Sequence, residues 1–268
     1  MAQEPEEPLV EEEEGGPIKP FLDHLEDLRW VLIKCISAVL IGMSLCMAGT
    51  PYIVKFLTRP LPKGMHLEFI GPLDGFWVSI KVGVFAGLVL ALPYMLYVIG
   101  SFVLPALKKT EKKYFLNAVT IGAGLFLAGA ALCYFVMLQI SLNAVVQFNH
   151  WMGVSSTFWR GNEYFSFVCW FIVGMGLSFE MPVVVLTLVK LDIISHNTLT
   201  KSRRYFVVIN LVVCCFITPD FVSTFFMIVP MQVLFEICIL ISAYWQRQKK
   251  RAEAALMTTQ EGHEEKTA

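Results

Sequence analysis

The sequence predicts an all-α, polytopic membrane protein with six transmembrane helices, the last two short, and both termini in the cytoplasm. Three observations carry this. Of 268 residues, 56% are hydrophobic and only 16% charged, against roughly 45–50% and about 25% in a soluble domain. The apolar residues lie in long runs almost free of charge. Lysine and arginine collect in alternate connections between those runs. The formal net charge of −1 gives no bulk attraction to nucleic acid.

The runs set the elements. Residues 1–20 are acidic, with Glu11 to Glu14 in a row, and read as a solvated tail. They lack the basic and then apolar pattern of a signal peptide, so the first apolar run is expected to stay as an anchor. Residues 21–246 form the membrane domain, and 247–268 a polar cytoplasmic tail. Cys35 to Val54 and Val82 to Leu107 carry no charge. Tyr114 to Trp159 has no Lys, Arg, Asp or Glu and is too long for one span. It is read as a helix to about Leu142, then an external segment through Arg160. Tyr164 to Val189 contains only Glu180, and Phe221 to Gln246 only Glu236. Tyr205 to Pro219 would make a helix only about 22 Å long, turned into the sixth at Thr218-Pro219-Asp220. Pro60 and Pro219 are read as structural. The alternation of a transmembrane barrel is absent.

Orientation follows from the basic residues. Lys19, Arg29, Lys34, Lys108, Lys109, Lys112, Lys113, Lys190, Lys201, Arg203, Arg204, Arg247, Lys249, Lys250 and Arg251 fall on one side. Lys55, Arg59, Lys63 and Arg160 fall on the other. The positive-inside rule places the richer side, and both termini, in the cytoplasm.

Seven cysteines lie in apolar runs without a C-x-x-C pair or a histidine at ligand spacing. They read as buried free thiols, and neither a metal nor a cofactor is expected. No H-E-x-x-H or G-x-S-x-G pattern is present, so an enzyme is not expected. Lys81, Glu180 and Glu236 lie within apolar runs. Lys81 is close enough to an end to snorkel. Glu180, deepest of the three and two residues before Pro182, is the strongest candidate for an intramembrane functional group. On composition alone, a small secondary transporter with Glu180 as proton or cation site fits. It would be favoured by inverted repeats, of which there is no convincing trace.

Five short motifs narrow the reading. They are His24-Leu25-Glu26-Asp27-Leu28-Arg29, Pro105-Ala106-Leu107 followed by Glu111, Ser178-Phe179-Glu180-Met181-Pro182, Thr218-Pro219-Asp220 and Leu234-Phe235-Glu236. Their order and spacing resemble the TatC family, the core subunit of the twin-arginine protein translocase, over residues 21–244. The family's H-L-x-E-L-R glutamate is Asp27 here, one methylene shorter.

The resemblance implies a receptor for the Arg-Arg signal peptides of folded cargo proteins. It implies a bacterial inner-membrane oligomer with single-span TatA- and TatB-type subunits, driven by the proton-motive force. It implies that Asp27, Leu28, Arg29, Phe102, Pro105 and Glu111 bind the signal peptide. Glu180, Pro182, Asp220 and Glu236 would then contact partner subunits within the lipid. The topology has a direct test. In a cysteine-free background, single cysteines at Gly64 and Gly153 are expected to react with an impermeant thiol reagent from outside, and one at Thr110 is not. A reversed pattern at any of the three rejects it.

Overall fold

The computed structural model describes residues 21–103, 109–154, 157–191, 193–218 and 220–267. In chain order the elements are α1 (Phe21–Ala48), α2 (Thr50–Leu57), β1 (His66–Glu68), α3 (Asp74–Val103), α4 (Lys109–Leu132), a π-helical turn (Cys133–Met137), α5 (Leu138–Trp151), β2 (Phe158–Arg160), α6 (Gly161–Lys190), α7 (His196–Lys201), α8 (Arg203–Ile217) and α9 (Phe221–Thr267).

Hydrocarbon offers a backbone no partners, so a spanning segment must satisfy its own hydrogen bonds, and a helix does so. Among the described residues, five helical segments are long and apolar enough to cross a bilayer: Leu25–Ala48, Asp74–Val103, Tyr114–Trp151, Gly161–Lys190 and Phe221–Gln248. The sixth apolar helix, α8, has 15 residues. Their outward faces are apolar too: Ile41 is 69% exposed and Leu240 68%. Such faces suit lipid rather than water.

Three expectations are corrected. The first span is interrupted at Gly49, and Thr50-Pro51 starts the separate α2, proline standing where a helix needs no N–H donor. The helix from Tyr114 does not stop near Leu142. It absorbs one π-helical turn and runs on to Trp151, so the external segment shrinks to the residues around β2. Of the last two helices only α8 is short; the apolar part of α9 spans 28 residues, and the helix continues through the expected C-terminal tail to Thr267. Lys81, expected near an end of its span, reaches the first residues of α6. Its ammonium donates to Asn162 Oδ1 at 2.7 Å and to the Ser166 hydroxyl, fastening α3 to α6.

The helices alternate in direction and their ends sort onto two faces. On one, β1 pairs in parallel with β2, His66 opposite Phe158. Tyr134 and Tyr164 there donate to the carbonyls of Phe56 and Leu57, both at about 2.7–2.8 Å, which closes α2 over the bundle. On the other, Lys190 at the end of α6 meets Tyr114 near the start of α4 and Trp245 of α9. The second face carries the lysine- and arginine-rich connections and is called the basic face below. Between them, Val82, Phe165, Val168, Phe171, Met175 and Met227 form the buried centre.

Close approach at glycine fixes the register of α1 against α3. A Cβ on Gly42 would stand 2.7 Å from the Gly87 carbonyl oxygen. One on Gly83 would stand 2.8 Å from the Met47 side chain. Five residues forward in α1 thus match four back in α3, an antiparallel pair in which small residues let the backbones touch. Gly87→Val should push the pair apart, lowering stability by about 1–3 kcal/mol. Thermal unfolding in detergent checks this, and an unchanged midpoint would reject the tight crossing.

Candidate functional site: the basic face and the intramembrane carboxylate

The α1–α3 register places the first motif. Continued toward the basic face from the Gly42–Gly87 contact, it sets Asp27, Leu28 and Arg29 level with the last residues of α3, which include Phe102. Asp27 and Phe102 are half-buried, and Leu28 and Arg29 are exposed. A Cβ on Gly100 would stand 2.7 Å from Val119, so the end of α3 also lies against α4. Glu111 belongs to the first turns of α4. Its side chain, and the whole of Pro105, lie outside the described residues. One face thus gathers the start of α1, the end of α3 and the start of α4, the elements that hold Asp27, Leu28, Arg29, Phe102 and the backbone of Glu111.

Glu180 lies ten residues before the end of α6, about 15 Å in from Lys190 along the axis. Its carboxylate rests against α4: a Cβ on Gly122 would be 2.7 Å from Glu180 Oε2. Oε1 is buried and accepts no hydrogen bond from any described residue. That is costly in an apolar medium unless something else donates. Pro182, buried one half-turn later, sits inside the helix and removes a backbone donor there. The same situation recurs at Gln232 of α9, whose Oε1 is also buried without a described donor. Two contacts between α6 and α9, Gly174 with Met227 and Lys190 with Trp245, show the helices running in parallel, which puts Gln232 near the depth of Glu180. The sequence reading missed Gln232, because an uncharged amide in an apolar run gives no charge signal.

The other two assigned carboxylates already have partners. Glu236 Oε2 accepts from Arg203 Nη2 at 2.7 Å, joining α9 to the start of α8 in a half-exposed ion pair. Asp220 caps α9: its carboxylate accepts the Ser223 N–H at 2.6 Å, the position an N-cap side chain serves. Beside it the Thr218 and Thr224 hydroxyls are 2.7 Å apart, and Ser141 meets Ser223. The corner that the sequence marked by proline is therefore also a buried hydroxyl cluster. Pro219 lies outside the described residues, and Pro60 is buried after α2.

An apolar cavity of about 500 Å³ opens between α1, α3, α4 and α6, lined by Phe56, Val82, Phe85, Pro93, Leu127 and Tyr134 among others. Glu180 is not part of its lining. Among the described residues no group of three or more His, Cys, Asp or Glu is placed to hold a metal ion. The seven thiols are unpaired; five are buried, Cys46 is half-buried and Cys215 is exposed.

A bundle of long apolar helices with lipid-suited outer faces, one basic face and an intramembrane carboxylate defines a multi-pass membrane protein. Residues 23–230 match the family model described as Sec-independent protein translocase protein (TatC). The Carboxydothermus hydrogenoformans protein of that name is 34% identical over 234 residues, covering 86% of this chain and 95% of the relative. The Aquifex aeolicus protein is 31% identical over 239 residues, covering 88% and 100%. A solved structure described as the twin arginine translocase receptor TatC superposes with a TM-score of 0.75 at 31% identity, covering 82% of this chain and 98% of that one. The same receptor in the detergent DDM gives 0.76. The chain belongs to the TatC family of Sec-independent protein translocase components.

The Arg203–Glu236 pair is half-exposed and should couple weakly. A double-mutant cycle with Arg203→Met and Glu236→Gln should return about 0.2–1 kcal/mol of interaction, read by thermal unfolding. A coupling near zero would mean that the two side chains do not hold each other.

Proposed function

We propose that this protein is the receptor for twin-arginine signal peptides and the core subunit of a translocase that exports folded proteins on the proton-motive force. It acts with single-span TatA- and TatB-type subunits in the bacterial inner membrane, both termini cytoplasmic. Residues 1–20 and 247–268 then extend into the cytoplasm, and 21–246 form the membrane body. The observation that carries the reading is the register that brings the Asp27–Arg29 stretch level with Phe102, beside the start of α4. Two adjacent arginines need carboxylates at the cytoplasmic surface, where directional Arg–carboxylate pairs can form. Asp27 and Glu111 supply them. Leu28, Phe102 and Pro105 offer apolar contact around them, and Arg29 completes the charged rim.

Glu180 is the acceptor for a polar group on a partner's membrane helix. Its buried, undonated Oε1 supports this, because a docking helix would bring the missing donor. Pro182, Asp220 and Glu236 shape the surface around it.

Loss of one charge-assisted contact costs about 1.5–3 kcal/mol, or tenfold and more in affinity. Asp27→Ala and Glu111→Ala should each weaken binding of an Arg-Arg signal peptide to the purified protein by about that factor, while a Lys-Lys peptide binds poorly to all forms. Wild-type affinity in both variants would overturn the assignment. For Glu180 a graded defect is expected: Glu180→Gln partly active in cargo export and Glu180→Ala much worse, since interhelical hydrogen bonds contribute only about 0.6–2 kcal/mol. Abolished export by Glu180→Gln would point to proton coupling. Normal export by Glu180→Ala would leave a packing role.

A further inference from the structure

Lys190 ends α6 with its ammonium 3.8 Å from the centroid of the Tyr114 ring and 5.4 Å from that of Trp245. Three helices meet at this one cation: α4 through Tyr114, α6 through Lys190 and α9 through Trp245. The joint draws on ring faces rather than on a carboxylate, so it recruits none of the acidic groups of the basic face. Lys190 also lies in the last turn of α6, where a positive charge is favoured by the helix dipole.

The joint matters because of what stands next to it. Tyr114 is the sixth residue of α4, and Glu111 is three positions before it on the same helix. Glu111 and Tyr114 therefore share one turn of the helix. Deeper in the membrane, α4 is held against α6 by close contacts, Gly122 on Glu180 and Gly129 on Phe179. At the basic-face end the hold passes to Lys190 on Tyr114. A bound arginine pulling on Glu111 loads that same turn.

We propose that Lys190 is a positioning residue of the signal-peptide site: clasped between Tyr114 and Trp245, it locks the start of α4, and with it the backbone of Glu111, against α6 and α9. This rests on the receptor reading given above. Lys190 touches no peptide; it acts through the placement of α4. The effect on peptide affinity cannot exceed the energy of the joint. It is therefore smaller than the effect of removing Glu111 itself.

The test uses the full chain purified in detergent and a synthetic Arg-Arg signal peptide. Lys190→Met keeps the length and removes the charge; it should weaken binding about three- to tenfold. Lys190→Arg should restore it to within about twofold, because guanidinium also stacks on aromatic faces. Tyr114→Leu should repeat the loss with the charge still present, Tyr114→Phe should not, and Lys190→Met with Tyr114→Leu should be no worse than either alone. A second readout is the spread of distances between spin labels at Thr110 and Ile193 in a cysteine-free background, which Lys190→Met should broaden and Lys190→Arg should not. Wild-type affinity in Lys190→Met overturns the proposal, as does a lowered melting temperature with affinity unchanged, or failure of arginine to restore binding. Glu111→Gln in the same assay separates the two levels. If it weakens binding while Lys190→Met does not, the site stands and the clasp fails. If the wild-type chain binds no Arg-Arg peptide, the receptor reading fails, and an unbroadened distance in Lys190→Met then sinks the clasp as well.

Discussion

A polar group placed in hydrocarbon must find a partner inside the protein, and most of this structure follows from that constraint. It makes every crossing segment helical. It also dictates how the few polar side chains of the interior are arranged. Lys81 donates to Asn162 and Ser166. Ser141 meets Ser223, Thr218 meets Thr224, and the Asn210 amide reaches the Ile228 carbonyl. Tyr134 and Tyr164 seek out backbone carbonyls of α2. Apart from Thr218 with Thr224, which closes the corner before α9, each joins residues well separated in sequence, and in low dielectric each is stronger than it would be in water.

Against that background the two oxygens without described donors, on Glu180 and Gln232, stand apart. A bundle that satisfies serines and threonines so thoroughly has no shortage of donors. The two acceptors sit on different helices, near one depth, and Glu180 is pressed against a glycine rather than against a hydroxyl. Such acceptors suit a partner that arrives within the membrane. Under the proposed docking role, an incompletely satisfied site would let partner helices bind and leave, because each direct bond there contributes only modestly.

The basic face works under a different constraint, since water and lipid headgroups are available there. Contacts are half-exposed ion pairs and cation–π contacts, individually weak: Arg203 with Glu236, and Lys190 between Tyr114 and Trp245. Their value is placement. Together with the stacked Phe206 and Phe235 rings, 3.9 Å apart, they tie the ends of α6, α8 and α9 into one surface behind the start of α4. The elements proposed to face the peptide are thus backed by a set of small joints rather than by a large core.

The sequence by itself determined the helical membrane fold, the two faces and the identity of the acidic groups, because charge in an apolar run is rare and its meaning local. It also placed the corner before α9, where proline and a carboxylate leave few alternatives. The tertiary structure decided what depends on contacts between distant residues. The π-helical turn that lets Tyr134 reach Phe56, the break at Gly49 and the tether of Lys81 answer to neighbours, not to local propensity. The length of α9 was hidden because a polar, charged segment can continue a helix as readily as end it. Gln232 and the Lys190 clasp were invisible for the same reason: an amide or a lysine acquires its role only from what the fold sets beside it.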